Sequence, residues 1–304
     1  MKIIKAILSL LQETFKGWQE ANGSLLAAAL AYYAITSLAP LLVIIVSIAG
    51  LVYDEAVVRD LLADEMGKVV GSQGASLTLS IFESASHIPV GGLATFLSLV
   101  VMAIMASMLF VRLKQAINAL WGIAPHPEMG WSVTLRTHFL SILMVLLIGL
   151  LLLVSMTVST FVVFLNHYLA AMPQVAVFLQ RMPEADFWMV FLLFTLLFTI
   201  AFKTLPEVQI AWRDVWLGAA VTGLILTGGE FLIGYYLARV NPGGAFGAAS
   251  SVIVILIWVY YSMQIILLGA KFTQVFSNRY GSRVLPSAKA VRIIRNLEDN
   301  SKIL

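Results

Sequence analysis

Six apolar stretches, each close to the length that crosses a bilayer, recur along the whole chain and leave little else to fold. A spanning helix needs roughly 20 mostly apolar residues. Residues 25–53, 90–111, 139–165, 187–202 with its flanks, 215–237 and 252–276 meet that need. The fourth is the shortest, bracketed by Asp186 and Lys203. It is read as a span because Phe187, Trp188, Phe191, Phe194, Phe198 and Phe202 make it strongly lipophilic. Only 12% of the chain is charged, against roughly 25% in a soluble domain, so no water-soluble surface can be built from it. The pattern predicts an all-α polytopic membrane protein: one membrane domain over 19–278, preceded by an amphipathic segment at 1–18 and followed by a basic tail at 279–304, the only detachable piece.

The basic residues orient that map, because loops on the cytoplasmic side are enriched in Lys and Arg. With the N-terminus inside, only Arg59, Lys68, Arg181 and Arg239 of the 19 fall outside. The rest cluster at both termini and in the inner loops, so both ends are expected in the cytoplasm. A net charge of +3 therefore reflects membrane orientation rather than a nucleic-acid partner. Cysteine is absent, which removes disulfides, thiolate metal sites and cysteine nucleophiles from consideration. Residues 1–18 lack a small-residue cleavage site, so the first span is expected to act as the insertion signal.

Two segments read as helical without spanning. Ile3, Ile4, Ile7, Leu8, Leu11, Phe15 and Trp18 recur at helical spacing, with Lys2, Lys5, Gln12, Glu13 and Lys16 mostly elsewhere. An interfacial anchor is the expected role, ahead of a partner-binding helix. The outer loop, 54–89, predicts a helical hairpin broken at Gly71–Gly74, serving as packing or as a lid.

The candidate site residues are polar groups at membrane depth. Glu230 follows Gly228 and Gly229 inside the fifth span, and an ionisable group there is a site hypothesis by default, with a structural, hydrogen-bonded carboxyl as the alternative. In the first span, Tyr32, Tyr33, Thr36 and Ser37 carry hydroxyls, Pro40 frees a carbonyl, and five alanines from Ala27 to Ala34 permit close contact. That span is expected to face the protein interior. The last span adds Trp258, Tyr260, Tyr261, Ser262 and Gln264, with interfacial anchoring as the competing role for its aromatics, and Lys271 near its end. The loop before it, NPGGAFGAAS, offers a flexible re-entry. Enzyme chemistry is not expected. The four histidines lack metal-ligand spacing, and HExxH, GxxxxGK[ST] and GxSxG with a histidine base are all missing. No cofactor is implied.

Four ordered motifs carry a family resemblance. AAALAYYAITSLAPLL at 27–42, AINALWGI at 116–123, KTLPEVQIAWRDVWLGA at 203–219 and FGAASSVIVILIWVYYSMQIILLGAK at 246–271 are similar to those of the YihY/BrkB family of bacterial inner-membrane proteins, over roughly residues 10–280. Many members close the final span with Gly-Ala-Glu. Here the positions are Gly269, Ala270 and Lys271, so no carboxylate role carries over. The resemblance implies a six-span protein of the bacterial plasma (inner) membrane. The family was long labelled ribonuclease BN, a label the short cytoplasmic loops do not support. A secondary transporter or exporter of a lipid or small polar solute is the leading expectation, using a cavity among the first, fifth and sixth spans. A non-transporting envelope scaffold is the alternative, its basic tail binding anionic lipid or acting as a plain anchor. Membrane lipids are the expected partners, self-association into a homo-oligomer is compatible with the sequence, and no nucleic-acid partner is expected.

Overall fold

In the computed structural model the described residues are 2–49, 92–125, 137–151, 182–240, 250–287 and 290–293, with isolated positions between 54 and 80 and at 154 and 157. Seven helices run through them: α1 (Lys2–Glu20), α2 (Gly23–Ala49), α3 (Gly92–Trp121), α4 (Thr137–Leu151), α5 (Met182–Thr204), α6 (Trp212–Val240) and α7 (Ser250–Tyr280). Within α2, α3, α5 and α7 lie segments long and apolar enough to cross a membrane, while α4 is apolar and shorter. The chain is an all-helical membrane protein. The expected outer hairpin at 54–89 and the loop at 241–249 lie outside the described residues, apart from scattered helical positions in the former.

The helices sit side by side, with α6 between α5 and α7, and α7 touching α6, α2, α3 and α1. Small residues let them approach. Ala27, Ala31 and Ala34 are buried on α2, and Phe198 and Phe202 stack at 5.8 Å in the core of α5. Asn22 makes the corner between α1 and α2. Its φ of 54° is one that Asn tolerates better than most residues, and its carbonyl accepts from Leu25 and Leu26 to start α2.

At one end of the bundle four short strands join what the helices leave loose. β1 (Ile123–Pro125) pairs antiparallel with β4 (Ala290–Arg292), and β2 (Val208–Gln209) with β3 (Leu285–Pro286). Gly122 lets the chain leave α3 at φ 69°, and its carbonyl accepts from Ile293. Residues 279–293 are therefore no detached tail. Their backbone groups complete ladders whose other strands follow α3 and α5, so the boundary expected at 278 divides one folded unit.

Candidate functional site

Buried polar side chains recur along the seam between α6 and α7. Its register is antiparallel with a four-residue step: Asp214 meets Ser277, Gly218 meets Thr273, and Thr222 meets Gly269. Each glycine lies where its partner's threonine would strike an added Cβ, so helix meets helix almost backbone to backbone. The threonines satisfy themselves within their own helices, Thr222 Oγ1 donating to Gly218 O at 2.7 Å and Thr273 Oγ1 to Gly269 O at 2.8 Å. This stretch is closed.

The seam changes character further along. Tyr261 sets its hydroxyl against Gly229, which is buried, whereas a Cβ on Gly228 would meet no atom within 4 Å. Thr227 is 2% exposed, and its hydroxyl has no partner. An unpaired buried hydroxyl costs about 1–3 kcal/mol, a cost that Thr227 on α6 shares with the buried Ser141 on α4. Gln264 lies half-buried three residues along α7 from Tyr261. Glu230 is helical and follows directly on α6; its side chain lies outside the described residues.

Other expected site residues fall elsewhere. Tyr32 is 63% exposed, Thr36 is exposed, and Tyr33 is half-buried beneath the Arg112 guanidinium, 4.8 Å from its ring centre. Of the four expected hydroxyl residues, Tyr32, Tyr33, Thr36 and Ser37, only Ser37 is buried, so α2 faces the interior as expected but not with its hydroxyls as a set. Its alanine stripe does the packing instead, and back-bonding leaves the hydroxyls in no need of the interior. Thr36 donates to Tyr32 O and Tyr33 O, and the buried Ser37 to Ala34 O at 3.1 Å. Pro40 is half-buried within α2. Lys271 lies about ten residues along α7 from Tyr261, roughly 15 Å, so it belongs to the ladder end and not to the neighbourhood of Gly229. It donates to Leu120 O at 3.0 Å and Gln274 Oε1 at 2.8 Å, and its chain passes over Gly17.

That ladder end is a second polar cluster, which sequence reasoning missed as a site. Asp214 Oδ2 accepts from Ser277 Oγ, from the backbone N–H of Ser282 and from Ser282 Oγ, at 2.8–2.9 Å. Burial pushes this carboxyl upward, but those hydrogen bonds and the neighbouring Arg213 outweigh it and hold the group below its ordinary range. Lys114 bridges Glu207 at 2.6 Å and Thr137 Oγ1 at 2.8 Å, with the paired side chains only 12% and 13% exposed. Asn118 Oδ1 accepts from the Glu207 N–H, the Trp121 indole donates to Ala270 O, and Gln274 donates to Trp121 O. The signal was present, since Asn118, Trp121, Glu207 and Asp214 all lie within two of the four motifs. Spacing along the chain gave no hint that those motifs meet. No group of three or more His, Cys, Asp or Glu side chains able to hold a metal occurs among the described residues.

The Virulence factor BrkB family model matches residues 14–294, from the middle of α1 through β4. The chain belongs to the BrkB family. Curated relatives carry the name UPF0761 membrane protein. One from Tolumonas auensis is 24% identical over 64% of this chain and 62% of its own length. One from Pseudomonas aeruginosa is 27% identical over 58% and 41%, and one from Azotobacter vinelandii 25% identical over 84% and 60%. The chain thus spans about two-fifths to three-fifths of these relatives' length. No solved structure matches it significantly. The BrkB match includes both ladders, so the cluster joining α3, α5, α6 and α7 lies wholly inside the family region.

Proposed function

We propose that this BrkB-family membrane protein is a six-span, multi-pass protein of the bacterial inner membrane with both termini cytoplasmic, and a secondary transporter or exporter of a lipid or small polar solute. It is not an enzyme in this reading. The observation that carries it is the Thr227–Gly229 step of α6. A buried hydroxyl without a partner, open space beside Gly228 and a tyrosine hydroxyl lodged on Gly229 occupy the three positions that precede Glu230 in the sequence. Polar groups kept at that depth without full pairing suit a pathway better than a packed core. The closed seam from Asp214 to Gly269 supports a resting state sealed toward the ladder end, where the inner-side basic residues lie.

The closed seam also favours a second reading, a static scaffold whose helices never part. Purified protein in vesicles separates the two, with transbilayer movement of a fluorescent phosphatidylethanolamine and efflux of carboxyfluorescein as probes. Transport predicts movement of at least one probe above protein-free vesicles and its loss in Glu230→Gln. Rates equal to protein-free vesicles for both probes favour the scaffold.

A further inference from the structure

The apolar side of α1 faces away from the protein. Ile4, Ile7, Leu8, Leu11 and Phe15 are each half or more exposed, and at 3.6 residues per turn they share an arc of about 100°. The flank that packs against α7 is instead made by Leu10, Thr14 and Gly17: Leu10 joins Phe272 and Val275, and Gly17 lies under the Lys271 chain. A third flank carries Lys5, Gln12 and Lys16, all exposed. The three flanks lie about 120° apart. A surface helix of a soluble protein turns its apolar stripe to its own core; here a flank of Leu10, Thr14 and Gly17 meets the protein, while Ile4, Ile7, Leu8, Leu11 and Phe15 stay exposed and only Trp18, at the end of the stripe, packs against the core.

Height along the bundle says what covers it. α1 is held to the last turns of α7, where Arg279 donates to Ser9 Oγ at 2.9 Å and lies 3.7 Å from Glu13. Through the Asp214–Ser277 and Gly218–Thr273 register, that level on α7 matches the start of α6. There Trp212 and Trp216 are 58% and 50% exposed, with Tyr280 at 54% on α7 itself. Exposed Trp and Tyr at one height mark a membrane–water boundary. α1 also runs into the apolar α2 through the two-residue turn at Ala21–Asn22.

We infer that α1 lies in the headgroup–acyl boundary of the leaflet adjoining the ladder end, with Ile4, Ile7, Leu8, Leu11 and Phe15 among the acyl chains and Lys5 and Lys16 among the headgroups. The occupant of the stripe is lipid, not a second protein copy. The arrangement makes α1 a strap between that leaflet and the end of α7, whichever side of the membrane the leaflet occupies.

Cysteine-free sequence makes the test direct. Single nitroxide labels at Leu8→Cys, Leu11→Cys, Gln12→Cys and Lys16→Cys are placed in the full chain, reconstituted in vesicles of phosphatidylethanolamine and phosphatidylglycerol. Collision with oxygen should dominate at 8 and 11, and collision with a water-soluble nickel chelate at 12 and 16. Nickel access at 8 and 11 equal to that at 12 overturns the inference, as does spin–spin broadening at 8 and 11 from a neighbouring copy.

Discussion

One substitution, made at two places, should have opposite signs. In a helix interior Gly→Ala contributes about 0.5–1 kcal/mol of stability through backbone entropy and propensity. At Gly228 nothing within 4 Å opposes it, so Gly228→Ala should stabilise by that amount. At Gly269 the new methyl would collide with Thr222 Oγ1 and stand 2.8 Å from both its Cβ and its Cγ2. Thr222 can rotate its hydroxyl away only by giving up the bond to Gly218 O, leaving a fully buried hydroxyl unpaired at about 1–3 kcal/mol. Rotation does not clear Cβ, so the helices must also separate, and overpacking of this kind costs about 1–3 kcal/mol. Together these outweigh the propensity gain, and Gly269→Ala should destabilise by about 1–5 kcal/mol net. Thr222→Ala removes two of the three opposing atoms and should restore part of the loss. Thermal unfolding in detergent, followed by tryptophan fluorescence, measures all four proteins. Equal signs at 228 and 269, or no recovery in the double variant, refute the seam as drawn.

The ladder-end cluster makes two further predictions. Because Asp214 titrates below its ordinary value of 3.8, its contribution is complete above that value and is lost as pH falls through the lower folded one. Asp214→Asn should lower stability at neutral pH by about 1–3 kcal/mol and flatten the drop below about pH 4, read from unfolding midpoints across an acid series; an unchanged acid profile contradicts the assignment. Lys114→Met leaves Glu207 buried without its cation and should cost about 3–5 kcal/mol. Adding Glu207→Gln should recover most of that loss in the same assay, whereas additive losses would mean the pair is not coupled.

The helices were legible because bilayer-length apolar runs admit few other structures, and α1 was legible from its spacing. The exposure of individual hydroxyls on α2 was not. Tyr32 and Thr36 look like an inward polar face until one sees that Thr36 bonds its own helix and that Ala27, Ala31 and Ala34 do the packing. The ladders were invisible for a different reason. Strands of two or three residues carry no periodicity, and the partners of Ile123 and Val208 lie well over a hundred and some eighty positions away respectively, at Arg292 and Pro286. Asp214 stood in the sequence only as part of the 203–219 motif; the α6–α7 register brings Ser277 onto it, and the chain after Tyr280 brings Ser282.

The central claim is that the Thr227–Glu230 step borders a water-accessible pathway. Thr227→Cys, Gly228→Cys and Glu230→Cys, each the sole cysteine, are reacted with a membrane-impermeant thiol reagent in intact cells and in inside-out vesicles, with and without an imposed ion gradient. Transport predicts labelling from one side that shifts with the gradient, while Thr222→Cys in the closed seam stays unreactive. Thiols at 227, 228 and 230 that remain unreactive from both sides, while loop controls label, would contradict the pathway and leave a packed scaffold.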